Sequence, residues 1–582
     1  MDMNSSDIFH TPIELKRTEL SFCKSSVKGM QDWANGLVIN HLGDSARSLF
    51  SAILEISELD CKETLRFDLI QTIHPIIENI LNSLEKHFFN QSLITSDRND
   101  QIIELALLLR THFAKIYIDI ARRSNHQLTH QKFSLFSLKK KNNLQTARTI
   151  SSFYALQQLS LLQYQQQMLY STVLPGHWLV AHTLVECAMR NHYNYTNVNQ
   201  ILGTQHKVVN INQAYAQLIL LDIFNTHQIR PAEIQGLYLC SYDWAKRVNI
   251  QHKETSSTRY IIDSKKDFSP IYNSSQNGNF HPDIFISTQA LLDHLNENQS
   301  KKNNNLSVNE KLHLTPALHF HIHNILTHNA ERRHERYEYS ARIKICFGLH
   351  VAHFYLSKGK NFKETLDLGA DYQIYKNASI SSVIEPDNKS TNVSVTKTID
   401  REAKKTYQVD VLDISVNGYR IKWVGETPKN LKTGEFILVQ ENKQSPWRGG
   451  VIRWIKQSSE KTLELGLEIL AQDIATCAVY LQTDRNTGHH HPALLMQTTQ
   501  LDEVTTSLVL PGIGLLKDKQ SVQLRLGTND VKVLLNKPLL ITQSFMSFEF
   551  ELLNDQQRPI LDSFIQKQLS EMKNHDIWEA LK

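Results

Sequence analysis

Apolar residues in the N-terminal half of this chain recur at intervals of three and four, whereas beyond Ala341 they alternate with polar ones. The first spacing lays side chains along one face of a helix, and the second follows the pleat of a strand. In segment 44–59, Leu49, Ile53 and Ile56 stand at i, i+4 and i+7 with Phe50 beside them, and Asp44-Ser45 supplies an N-cap. Similar amphipathic segments run over 62–74, 76–89, 101–123, 144–174, 177–191 and 213–224, with Pro75 expected to separate two of them. No fixed repeat period is visible, so an all-α bundle or array is expected. Between 251 and 310 the period is lost in polar runs such as Asn273–Asn279, broken by two apolar islands, 259–263 and 283–295. That stretch reads as a connector with limited structure.

The alternating half begins with 341–349 (ARIKICFGL) and continues through 409–423, 431–439, 450–455 and 462–470, joined by short polar links. Several short strands at near-regular spacing predict a small barrel. In VDVLDISVNGYRIKW, the pleat puts Val409, Val411, Asp413 and Ser415 on one face. Asn417-Gly418 suits a two-residue hairpin turn, and the return strand sets Tyr419, Ile421 and Trp423 against Arg420 and Lys422. Asp413 and Ser415 are also residues that bond the local backbone around turns, which needs no ligand. Further alternation at 522–526, 531–535 and 544–552 predicts a second small β-region, followed by a C-terminal helix over 560–581.

The 582 residues, 41% of them hydrophobic, leave room for about three or four domains. Sixty-three basic against 59 acidic residues give a net charge of +4, so no global basic field argues for a nucleic-acid partner. Lys139-Lys140-Lys141 reads as a solvated loop between helices or as a contact for an anionic partner. Segment 102–121 is strongly apolar, yet Glu104, Arg110, Lys115 and Asp119 interrupt it, which favours a buried core helix over a transmembrane segment. No secretory signal opens the chain, and a cytoplasmic location is expected. Six cysteines (Cys23, Cys61, Cys187, Cys240, Cys346, Cys477) lack the paired spacing of zinc or disulfide sites. His319, His321 and His323 would converge on a metal only on a strand, and no carboxylate or cysteine stands among them; His489-His490-His491 reads as an exposed loop. No metal site, no other cofactor and no catalytic constellation is expected, so the chain is read as a non-enzyme.

Asp413-x-Ser415-x-x-Gly418 resembles one half of the signature of PilZ domains, small bacterial β-barrels. Arg332-x-x-x-Arg336, just before the first alternating run, resembles the other half. The runs GVIRW and LGLEIL are similar to closing strands of such a domain, so the resemblance covers roughly 331–482. It implies cyclic di-GMP as ligand. Arginine forks at Arg332, Arg333 and Arg336 would take phosphates and guanine edges, Asp413 would accept from guanine N–H groups, Ser415 would add a hydroxyl, and Gly418 would keep a Cβ out of the way. Arg332 and Glu335 would equally pair at i, i+3 on a solvated helix. Against the usual pattern, a polar insertion at about 358–405 separates the two halves, and Arg401-x-x-x-Lys405 offers a second, weaker arginine motif. The layout resembles large PilZ-containing proteins of gammaproteobacteria with an N-terminal helical region.

The expected fold is therefore α+β and multidomain: a helical interaction domain over 1–250, the connector over 251–325, a PilZ-like antiparallel barrel over 326–482, and a second small β-region with a C-terminal helix over 483–582. The expected function is that of a cyclic di-GMP receptor or adaptor coupling the barrel to an unidentified protein partner through the helices. The alternative is a degenerate PilZ scaffold that binds no nucleotide and acts through protein contacts alone.

Overall fold

Helices built on the apolar stripes occupy the N-terminal part of the computed structural model. It describes residues 8–37, 42–88, 97–274, 280–300, 305–328, 336–360, 362–365, 405–415, 417–442, 445–458, 462–482, 488–500, 503–512 and 516–580. Leu49, Ile53 and Ile56 are buried on helix Leu42–Glu58, as their spacing requires. Pro75 does not divide the next helix. Glu63–Glu85 runs through it, because Ile70, Ile73, Ile77 and Ile80 form one continuous buried stripe. The proline itself is exposed and lies off that stripe.

The apolar segment around 102–121 belongs to helix Asp97–His130; of its interrupting charges Glu104 is exposed, while Arg110, Lys115 and Asp119 are buried with partners. Lys115 Nζ donates to both carboxylate oxygens of Asp119 at 2.7 and 2.8 Å. Arg110, fully buried, donates to Gln165 at 2.9 Å and Gln158 at 2.7 Å on the adjoining helix Leu138–Met168. Among the described residues no helix is long and apolar enough to cross a membrane.

The segment read as a connector carries more order than its polar runs suggest. Its two apolar islands supply strands of a four-stranded antiparallel sheet, β1 (Asn249–Gln251), β2 (Tyr260–Ile262), β3 (Ile271–Tyr272) and β4 (Ile284–Ser287), in the order β1-β4-β2-β3. Ile250, Ile261, Ile262, Ile284 and Ile286 are buried there, so short apolar runs suffice once they share a sheet. The chain divides into two compact units, and this sheet lies in the first with the helices.

The second unit holds two closed barrels of six strands each. The first consists of β5 (Tyr337–Phe347), β6 (Tyr407–Ser415), β7 (Gly418–Trp423), β8 (Phe436–Gln440), β9 (Arg448–Gln457) and β10 (Leu463–Ala471), closing in the order β10-β7-β6-β5-β8-β9. The second consists of β11 (Asp473–Gln482), β12 (Gly488–Gln500), β13 (Glu503–Pro511), β14 (Ser521–Leu526), β15 (Asn529–Ile541) and β16 (Phe545–Leu552), closing as β11-β12-β13-β16-β15-β14. Strand β11 pairs only inside the second barrel, so residues 473–482 are structurally part of it. Helix Arg558–Ala580 buries Leu561, Ile565 and Leu569 against that barrel's core.

His489-His490-His491 is not an exposed loop. It starts β12, where His490 and His491 are buried opposite Tyr480 and Val479, because the ladder with β11 continues through them. His319, His321 and His323 lie on helix Pro316–Thr327, whose turn points alternate residues apart. The insertion after β5 opens with helix Leu349–Leu356, and residues 366–404 lie outside the described residues.

The barrels are packed on one another. Cys346, Leu349, Ala352, Phe436 and Leu438 of the first share a buried cluster with Ile474, Leu494, Val509 and Phe545 of the second. The rings of Phe436 and Phe545 meet edge to face, 5.3 Å between centroids. His353, buried on helix Leu349–Leu356, donates through Nε2 to the carbonyl of Cys477 at 3.2 Å. Ser544 Oγ donates to Glu435 Oε2 at 2.6 Å across the same boundary.

Candidate functional site

The hairpin β6–β7 fixes the site by its register. Ser415 pairs with Gly418, so Gly418 already opens β7, one position earlier than the Asn-Gly turn expected from sequence. Counting back from that pair sets Asp413 opposite Arg420. Beyond it the register shifts, because Val411 pairs with Ile421 and leaves Leu412 as an extra residue. Ile421 and Arg420 are neighbours on β7 and point to opposite faces, so their partners Val411 and Asp413 do too. The bulge thus turns Asp413 away from the face carrying Val411 and toward Arg420, which is how bulges beside functional sites re-aim a side chain. A second register shift lies between Glu338 and Ala341 of β5, where Glu338 pairs with Asp413.

Asp413 sits between two guanidinium groups. Arg336 Nη1 donates to Oδ1 at 2.8 Å and Arg420 Nη1 to Oδ2 at 3.2 Å. Arg420 also donates through Nε and Nη2 to Glu464 Oε2 on β10, at 3.1 and 2.8 Å. Glu464, and less strongly Asp413, push the Arg420 guanidinium pKa above its already high value. Asp413 is 8% exposed, while the Arg336 and Arg420 side chains are 41% and 38% exposed. A buried carboxylate therefore anchors two half-exposed forks.

Ser415 is half-buried, its hydroxyl 3.5 Å from the carbonyl of Gly418. Gly418 is required for space. A Cβ there would come within 2.4 Å of the Leu467 carbonyl oxygen on β10. The structure thus brings Arg336, Asp413, Ser415 and Gly418 to one end of the hairpin, while Arg332 and Arg333, like Arg401, lie outside the described residues. The sequence reading missed Arg420 as a partner of Asp413. Counting back from a Ser415–Gly418 pair would have found it. Around the barrel, Tyr419 donates to Glu441 at 2.5 Å beside Arg448, and burial together with Glu441 pushes the Tyr419 phenol up to about 12. No group of three or more side chains suited to a metal ion occurs among the described residues.

Family models match three successive stretches of the chain, and the boundary between the first two falls inside the 249–287 sheet of the first unit. Residues 28–255 match the N-terminal domain of the cyclic-di-GMP receptor FimW, 259–392 and 370–475 match its middle PilZ domain, and 477–553 match its C-terminal β-barrel domain. The chain is a PilZ-containing, FimW-like protein. It is 23% identical over 576 residues to the cyclic-di-GMP receptor FimW of Pseudomonas aeruginosa, covering 91% of each chain. No solved structure matches it. In this FimW-like chain the middle PilZ model spans the first barrel and the model of the C-terminal barrel begins within β11.

Proposed function

We propose that the chain is a cyclic di-GMP receptor whose nucleotide site is built from Arg332, Arg333 and Arg336 on one side and Asp413, Ser415 and Gly418 on the other. The observation that carries this reading is the ion pair between Arg336 and Asp413, which joins the two motif halves despite the 358–405 insertion. The FimW-like domain matches over 28–553 support it.

The chemistry follows from the anchors. Half-exposed ion pairs contribute roughly 0.2–1 kcal/mol, whereas each hydrogen bond to a charged group of a bound ligand is worth about 1.5–3 kcal/mol. Arg336 therefore gains by leaving Asp413 for a nucleotide phosphate or a guanine O6/N7 edge. Asp413, freed at Oδ1 and still held at Oδ2 by Arg420, accepts from guanine N1–H and N2–H. That exchange reorders the arginine segment and alters how the protein meets an unidentified protein partner through its helices. Receptor action of this kind needs no catalytic group.

Calorimetric titration of cyclic di-GMP into the full chain tests the reading, with Arg336→Ala and a GMP control beside it. Saturable binding that the variant loses is expected. No heat at high ligand concentration would instead establish a PilZ scaffold acting by protein contacts alone.

A further inference from the structure

Helices Asp97–His130 and Leu138–Met168 pair along their length and are joined by a short tip, residues 131–137. The tip's backbone is settled locally. Ser134 O accepts from the amide of Ser137 at 2.9 Å and from its hydroxyl at 2.8 Å. Phe136, by contrast, is 102% exposed, so its ring packs on nothing, and Leu138 beside it is 49% exposed. Lys132, Lys139 and Lys140 are exposed around them and Lys141 is half-exposed, with Lys140 reaching back to Gln131 Oε1 at 3.5 Å. The lysines do nothing for the helix they begin, since a first helical turn favours carboxylates and this one has none. They also have no acidic neighbours in sequence, because residues 120–185 contain no Asp or Glu.

We propose that this hairpin tip docks on an anionic phospholipid surface, with Phe136 and Leu138 entering the headgroup layer and Lys132, Lys139, Lys140 and Lys141 facing lipid phosphates. A projecting aromatic ringed by cations matches the chemistry of an anionic interface, which takes up apolar side chains and attracts lysines within a Debye length. A duplex nucleic acid would meet the lysines and leave both apolar side chains in water, and a single strand would stack a base on Phe136 but leave Leu138 in water. With no helix able to span a bilayer among the described residues, the attachment is peripheral and reversible. It is independent of any ligand at the first barrel.

Co-sedimentation of the full chain with vesicles of phosphatidylcholine, alone or mixed with phosphatidylglycerol, tests it. Binding is expected only to the mixed vesicles and is expected to weaken with added salt. Replacing Lys139, Lys140 and Lys141 together by Gln should weaken it by about fivefold per lysine. Phe136→Ser should weaken it by roughly tenfold while leaving circular dichroism unchanged, since the ring supports no packing. The proposal is overturned if anionic vesicles bind no better than neutral ones, if neither variant changes binding, or if the lysines serve RNA binding with no vesicle binding.

Discussion

Asp413 is held at both oxygens, and that double hold gives Arg336 and Arg420 different duties. Arg420 ties β7 to β6 and to Glu464 on β10, so it fixes where the carboxylate points. In the proposed ligand exchange Arg336 alone leaves. Arg420→Ala is therefore expected to weaken cyclic di-GMP binding by about tenfold through a misplaced Asp413, on the scale of one charge-assisted hydrogen bond. Arg420→Lys should restore little, because one ammonium cannot reach both carboxylates as the fork does; paired titrations check both. Gly418→Ala should destabilise the first barrel by about 1–3 kcal/mol, read as a lower denaturation midpoint, because the added Cβ meets the Leu467 carbonyl at 2.4 Å. Under the proposed function the Arg336–Asp413 pair is also an internal competitor of the ligand. The fraction of molecules with the pair open scales the apparent affinity, so weakening the pair without removing the arginine should sharpen the response.

Among elements, what was legible in the sequence is what periodicity encodes. Leu49, Ile53 and Ile56 announce their helix, and Leu463, Leu465 and Leu467 announce β10, because burial on one face imposes a period on the residues. Register and bulges are not periodic. The extra residue at Leu412 and the one-position shift of the hairpin link depend on pairing with β7, so the pleat alone put Asp413 on the wrong face. The ordered sheet over 249–287 was hidden for a similar reason, since two- to four-residue strands give no measurable alternation. The fate of Pro75 was decided by the stripe around it. Helix Leu349–Leu356 adds a pH dependence: burial, followed by the smaller influence of His350, holds the His353 pKa down at about 4 against an ordinary 6.5. The unfolded chain then binds the proton first, so the contribution of His353 to stability is full above about 6.5 and falls as pH drops toward 4, by on the order of 3 kcal/mol for this one group. His353→Gln should remove this share of the decline in thermal melts across the same range, leaving the shares of His74, His112, His182 and His491, which burial also holds at about 4.

At the scale of the second unit, the two barrels have one cluster of apolar residues in common, and Phe545 lies at its centre against Phe436. Phe545→Ala is expected to cost about 3–5 kcal/mol and to loosen both barrels together. Hydrogen exchange should then rise in β6 as well as in β14; a rise confined to the second barrel would show that they unfold separately. The passage from one barrel to the other is as short as a chain allows, with only Gln472 between the end of β10 and the start of β11. A joint of that length, with Ala471 and Ile474 around it buried in the cluster both barrels share, leaves no room for a hinge. The barrels therefore travel as a single stiff block, and whatever happens at Asp413 reaches the far face of the second barrel as displacement of that block and not as one barrel swinging on the other.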